Sequence, residues 1–271
     1  MKNTLFLTLA AIGLSGFTQC LADGLPVKQP NVLHIWRESV KAGRGAEHAK
    51  HESGFVAAFE KAKSTAYGLA LVSETGPAEA WYLGPFESNA AMGENEKRIA
   101  KDAGLLAELD RLERIDSEYI NGVTRIVANA RTDLSNGQFP DLAKARFYQI
   151  TVYRIHPGHE DMFEAAAKAY RAANQRAGSK AGWRTYQVAA GMPGSTFLVM
   201  TSLEDYAQFD QLGAEAIATW SAATPEEKAT LTKVLKESVV EQETNRFRVD
   251  PVQSFVPKET RAADPAFWSA Q

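Results

Sequence analysis

"VYRIHPGHEDMFEAA", residues 152–166, reads as the end of a strand, a Pro-Gly turn and the first turns of a helix. A weaker version of the same pattern, "ESVKAGRGAEHAKHESGF", runs from 38 to 55. Setting Gly43 on Gly158 (158 − 43 = 115) aligns "VLHIWRESV" (32–40) with "FYQITVYRI" (147–155). Gly76 then falls on Gly191, in the hairpin signals "SETGPAE" and "AAGMPGS". "YGLALV" and "AWYLGPF" flank the first signal, and "WRTYQV" and "TFLVM" flank the second. A repeat with matched turns is stronger than either turn alone.

Helices fill the remaining spaces. Phe163, Ala166, Ala167, Tyr170, Ala173 and Ala177 form a stripe at helical spacing, and Phe55, Ala58, Phe59 and Ala62 form the equivalent stripe in the first copy. A second helical region follows each hairpin, over 88–119 and 204–241, and the latter contains an N-cap at Thr224 followed by Pro225. A last strand closes each copy, "GVTRIVANA" (122–130) and "NRFRVDPV" (245–252). The order strand, helix, strand, strand, helix, strand predicts an α+β fold of two tandem ferredoxin-like (split βαβ) modules. One such sheet alone leaves an apolar face bare, so the two antiparallel sheets are expected to pack face to face as an α/β barrel within one chain. The expected boundaries are a signal peptide at 1–22, a linker at 23–30, the first module at 31–131, a linker at 132–145, the second module at 146–256 and a tail at 257–271.

The Gly-centred turns "VKAGRG" and "IHPGHED" resemble those of the dimeric α/β-barrel superfamily, which includes antibiotic-biosynthesis-monooxygenase, EthD, NIPSNAP and chlorite-dismutase-like families. The resemblance spans about residues 31–256 as a fused pair and is to the fold rather than to one family. It implies a scaffold that hosts monooxygenases, isomerases, haem proteins and binding modules, so function must come from the site. Haem members of the group carry an axial histidine on a late helix of the second repeat, whereas this sequence has no histidine after His159.

Composition narrows the partners. The 271 residues carry a formal charge of −3 and a pI near 6.0, which gives no electrostatic reason to expect nucleic acid. Lys2, the apolar run Leu5 to Phe17 and "CLA" (20–22) before Asp23 form a secretory signal pattern. That run would span roughly 20 Å as a helix against about 30 Å of hydrocarbon, so no membrane span is expected. The expected address is the periplasm or the exterior after cleavage. Lipoprotein processing at Cys20, the only cysteine, is the less favoured route because Gln19 precedes it. Cleavage after Ala22 leaves no cysteine, hence no disulfide and no thiolate metal site.

Two constellations are candidate ligand sites. On the 115 offset His48 falls on Phe163, His51 on Ala166 and Glu52 on Ala167, so the first copy puts polar groups where the second puts hydrocarbon. His48, His51 and Glu52 share a helix face and form a weak candidate metal set, with Arg37 a plausible partner for Glu52. The plainer reading of these residues is a polar, hydrated helix end. The second constellation is His34, Trp36 and Glu38, on one face of their strand. If Leu33 and Ile35 pack under the helices, these three face the barrel interior opposite Gln149, Thr151 and Tyr153. Glu79 and Trp81 add a carboxylate beside an indole, readable as a general base or as an edge-strand charge.

No metal or haem cofactor is the favoured expectation, and no nucleophile, phosphate-loop or dinucleotide motif is present. The leading functional reading is an exported small-molecule-binding protein with its pocket in the first module. The alternatives are a cofactor-free monooxygenase or isomerase acting on an aromatic small molecule, with His34, His51 or Glu79 as base, and a structural, partner-binding module. A homo-oligomer is compatible with each.

Overall fold

The computed structural model describes residues 24–269, and the expected signal peptide and Cys20 lie outside the described residues. Nine apolar-rich residues make β1 (Val32–Val40). Gly43, at a φ of 78° that L side chains rarely adopt, turns the chain into α1 (Gly45–Lys61). Then follow β2 (Leu69–Ser73), β3 (Glu79–Phe86), α2 (Asn89–Lys101), α3 (Ala103–Asp116) and β4 (Ile120–Ala130). The order recurs in β5 (Phe147–Ile155), α4 (Glu160–Arg176), β6 (Arg184–Ala190), β7 (Thr196–Leu203), α5 (Gln208–Ala222), α6 (Pro225–Glu237) and β8 (Val239–Val249). Gly158, with φ of 87°, makes the turn before α4.

The eight strands close into one antiparallel barrel in the order β1-β3-β2-β8-β5-β7-β6-β4. The order β4-β1-β3-β2 in the first half is repeated as β8-β5-β7-β6 in the second. The halves are therefore hydrogen-bonded edge to edge, β2 to β8 through Leu71↔Val249 and β4 to β6 through Ala128↔Val188. Closure leaves no free sheet edge where the two halves meet.

Apolar side chains from all eight strands fill the interior, among them Ile35, Leu71, Trp81, Ile126, Ile150, Tyr186, Leu198 and Phe247. This reverses the expected facing of β1. Leu33 and Ile35 point into the barrel, and His34, Trp36 and Glu38 point outward to the helices. The physical reason is closure: the interior of a small barrel is filled by side chains, and hydrocarbon fills it without unpaired polar groups.

Each expected second helical region is two helices. Asp102 ends α2 and caps α3 by accepting from Leu105 N, and the Thr224 capping box with Glu227 starts α6. β8 begins at Val239, six residues before the expected 245, because β5 pairs with it from Ile155 onward. The tail docks. Lys258–Ala263 and Pro265–Trp268 form two short helices, α7 and α8, and Trp268 is buried with its Nε1 donating to Ala143 O at 3.0 Å. Among the described residues no helix is long and apolar enough to cross a membrane.

Candidate metal centre

Glu38 sits on the outward face of β1, and the turn at Gly43 brings α1 back over that face. His48 and Glu52, one helical turn apart, then point down at Glu38. Asp116, the last residue of α3, completes the group, held in place as Tyr119 N donates to its carbonyl and Lys41 N donates to Tyr119 O. Gly54 lets α3 approach α1, since a Cβ there would lie 2.9 Å from Leu112 Cδ2. One donor atom from each of Glu38, His48, Glu52 and Asp116 lies within 4.8 Å of all the others. Opposed ligands on an ion with bonds of about 2.0–2.4 Å are separated by about 4–5 Å, so a single cation fits the span.

All four side chains are buried, His48 to 2% exposure and Glu52 to 6%. His48 Nε2 lies 3.0 Å from Glu38 Oε2 and 3.7 Å from Asp116 Oδ1. Glu52 Oε1 and Asp116 Oδ1 have no hydrogen-bond partner. Buried polar atoms are otherwise almost always paired, and two orphan carboxylate oxygens aimed into one space point to a ligand between them. Burial, and then the charges of Glu38 and Asp116, hold the Glu52 carboxyl well above its usual range, while Tyr82 opposes the shift. Burial, then Glu38, pushes Asp116 up to about 6, with His48 pulling it back. Tyr82 stands beside the group and donates its hydroxyl hydrogen to Gln253 Oε1 at 2.7 Å. Three mutually repelling carboxylates and one imidazole can bind a cation, and burial shields them from bulk water.

The expected sites are rearranged accordingly. Of the weak metal set, His48 and Glu52 meet in this centre and His51 does not. The His51 ring contacts Leu112 O at 3.0 Å and packs against Tyr119 and Phe55, and burial lowers its pKa. Arg37 does not partner Glu52. It points through the other side of the sheet and grips both oxygens of Glu79 at 2.7–3.0 Å, where Trp81 Nε1 also donates at 2.9 Å. With both oxygens so engaged, Glu79 is an ion-pair partner at one end of the barrel and not a free base. His34 packs against Trp36, with ring centroids 3.9 Å apart and the planes tilted by 40°, away from the centre. Tyr153 packs on Phe163 under α4.

Asp116 is absent from the residues expected from sequence. One signal was available: a carboxylate at a helix C-terminus opposes the macrodipole, so its presence there asks for a compensating cation. The offset of 115 gives the sharper contrast. Glu38, His48 and Glu52 correspond to Tyr153, Phe163 and Ala167, and α1 and α4 span equivalent residues. Under α4 that space is filled by Phe163, Phe197 and Val234 with Tyr153, Ala167 and Leu231 packed against them. The fold therefore does not require the polar set.

Two cavities lie elsewhere. One of about 60 Å³ at a barrel mouth is lined by residues including Leu33, Leu83, Tyr148 and Tyr186. Another of about 310 Å³ lies outside β7, against α5, lined by residues including Trp183, Thr201 and Gln208. Neither is lined by any of the expected site residues.

No family model matches the sequence, and no curated protein matches it. Solved structures do match. A candidate monooxygenase of Fusobacterium nucleatum is similar over 82% of this chain and 93% of its own, with 10% identity and a TM-score of 0.51. A mutant chlorite dismutase of Candidatus Nitrospira defluvii is similar over 83% of this chain and 93% of its own, with 7% identity and a TM-score of 0.49. An anthrone oxidase-like protein gives 12% identity and a TM-score of 0.49 over 82% of this chain and 92% of its own. At 10% identity the likeness to the Fusobacterium protein is one of fold, and this chain shares the ferredoxin-like α/β-barrel fold with it.

Proposed function

We propose that the protein is an exported metal-binding protein, built from two tandem ferredoxin-like modules of which the first carries the metal centre. The ion is bound by Glu38, His48, Glu52 and Asp116, in place of the small organic ligand expected from sequence. The observation that carries this reading is the pair of buried, unpartnered oxygens on Glu52 and Asp116, facing one imidazole and a third carboxylate. The second module supports it by filling the equivalent positions with Tyr153, Phe163 and Ala167. An oxygen-rich set with one imidazole suits hard and borderline ions such as Mn²⁺, iron or Zn²⁺ over soft ones.

The cofactor-free oxygenase reading has the shared fold behind it, but neither of the two cavities described above is lined by His34, His51 or Glu79. The test is metal retention. Chelator-stripped protein is loaded with Mn²⁺, Fe²⁺ or Zn²⁺, or with Fe³⁺ as its nitrilotriacetate complex, desalted and assayed for metal by mass spectrometry. One ion per chain is expected for the wild type, and none for the double variant His48→Phe, Glu52→Ala, which copies the second module. Loss of the reading follows if the wild type retains no ion, or if the folded variant retains as much.

A further inference from the structure

Elsewhere in this chain a buried carboxylate has its own arginine. Glu79 is gripped by Arg37, and Asp250, 4% exposed, pairs with Arg248 at 2.8 Å. Glu38, Glu52 and Asp116 are the departure. Their only basic neighbour within 4.0 Å, among the described residues, is the imidazole of His48. Arg44, on the turn before α1, is paired with Glu47 at the surface, and His51 is turned to Leu112 O. Tyr82, beside the cluster, brings no positive charge to it, and its hydroxyl lies 2.7 Å from Gln253 Oε1.

We infer that the centre formed by Glu38, His48, Glu52 and Asp116 selects a trivalent ion, such as ferric iron, over a divalent one. The inference rests on the metal-binding reading above and adds the ion's charge. As ligands, three ionised carboxylates bring −3 and an imidazole bound through its lone pair brings none, so a divalent ion leaves the buried site at −1 and a trivalent ion leaves it neutral. An uncompensated charge in a protein interior is expensive, and among the described residues no lysine or arginine lies within 4.0 Å to relieve it. Carboxylate oxygens are hard donors, which suits a small, highly charged ion. No electron transfer is required, because the ion is bound in the state in which it arrives.

The test separates charge from redox chemistry by using Ga³⁺, which is redox-inert in water, beside Fe³⁺. Both are presented as nitrilotriacetate complexes to chelator-stripped protein, in competition with Mn²⁺ and Zn²⁺, and bound metal is counted after gel filtration. One trivalent ion per chain is expected, displacing Mn²⁺. Glu52→Gln keeps an oxygen donor and removes one charge, so the preference for Ga³⁺ over Mn²⁺ should fall at least about tenfold. Asp116→Asn makes the same change from another element and replaces it should Glu52→Gln not fold. Retention of Mn²⁺ or Zn²⁺ without the trivalent ions, or a preference unmoved by the charge-removing variants, overturns the inference and leaves the metal site standing. Retention of no ion of either charge overturns the metal-binding reading itself.

Discussion

At the scale of residues, the centre is defined by what its charges cost when no cation is bound. Two like charges about 4 Å apart repel by about 4 kcal/mol at an effective dielectric of about 20, so protons take the cation's place. Burial and then Glu38 push the Asp116 carboxyl up to about 6 in the folded chain against 3.8 when free, so between those values the folded state holds more protons than the unfolded state. The stability of chelator-treated protein therefore falls as pH rises through that window, and the share owed to Asp116 is complete above about 6. Glu52 shifts the same way and carries the fall to higher pH. Metal binding must displace these protons, so affinity rises over the same interval. Melts at about pH 4.5 and about pH 7.5 should show a larger gain in Tm from added metal at the higher pH, and an equal gain would count against the four-residue centre. Single and combined substitutions should also differ in sign. His48→Phe alone removes the partner of Glu38 Oε2 and should cost about 1–3 kcal/mol in urea unfolding without metal. Replacing Glu38, His48 and Glu52 together by Tyr, Phe and Ala should stabilise the metal-free chain, because it removes two buried carboxylates and restores hydrocarbon packing. His48 and Glu52 were legible in the sequence because a repeat shows which positions are normally apolar. Asp116 was not, because α3 and α6 lie far enough along the chain for the single offset of 115 to have drifted there.

At the scale of elements, the sequence reading was accurate where turn chemistry and period agreed. β1 and β5 have the residues expected from the glycine alignment, and the capping box at Thr224 starts α6. It erred on facing, since alternation in "VLHIWRESV" is equally consistent with either side of a sheet, and only closure of the barrel decides. It erred also on where β8 starts, because Val239 to Thr244 carries helix-compatible Glu and Gln and is held as strand by β5. The hairpin glycine has a use beyond its turn. Gly191, at φ of 91°, passes so close to β4 that a Cβ would sit 2.0 Å from Arg125 O. Gly191→Ala should thus cost more than about 2 kcal/mol, since both the backbone strain and the clash oppose it. Thr224→Ala, which removes one capping hydrogen bond, should cost about 1 kcal/mol. Equilibrium urea unfolding orders the two, and a Gly191 variant no weaker than the Thr224 variant would remove the close approach as its explanation.

At the scale of the whole molecule, closure makes each half the cover of the other's apolar face. Leu33, Ile35, Leu71, Trp81, Leu83 and Ile126 of the first half meet Ile150, Tyr186, Leu198, Met200 and Phe247 of the second inside one barrel. Cut between the halves, the segment 24–131 keeps its four strands and all four donors but bares that face. An exposed apolar surface of this kind drives association. The free edges of β2 and β4, which bond to β8 and β6 in the whole chain, are available to close a barrel with a second copy. The expected product is a homodimer with two ions, one per half, because the four donors all come from the first half. Light scattering coupled to gel filtration gives the mass, and metal analysis of the same peak gives the stoichiometry. A well-folded monomer would mean that the interior face is not what joins the halves. A dimer that binds no metal would mean that the second half is needed to hold α1 and α3 over β1. A dimer with two ions would place the centre wholly within one ferredoxin-like unit and assign the other half to covering its sheet.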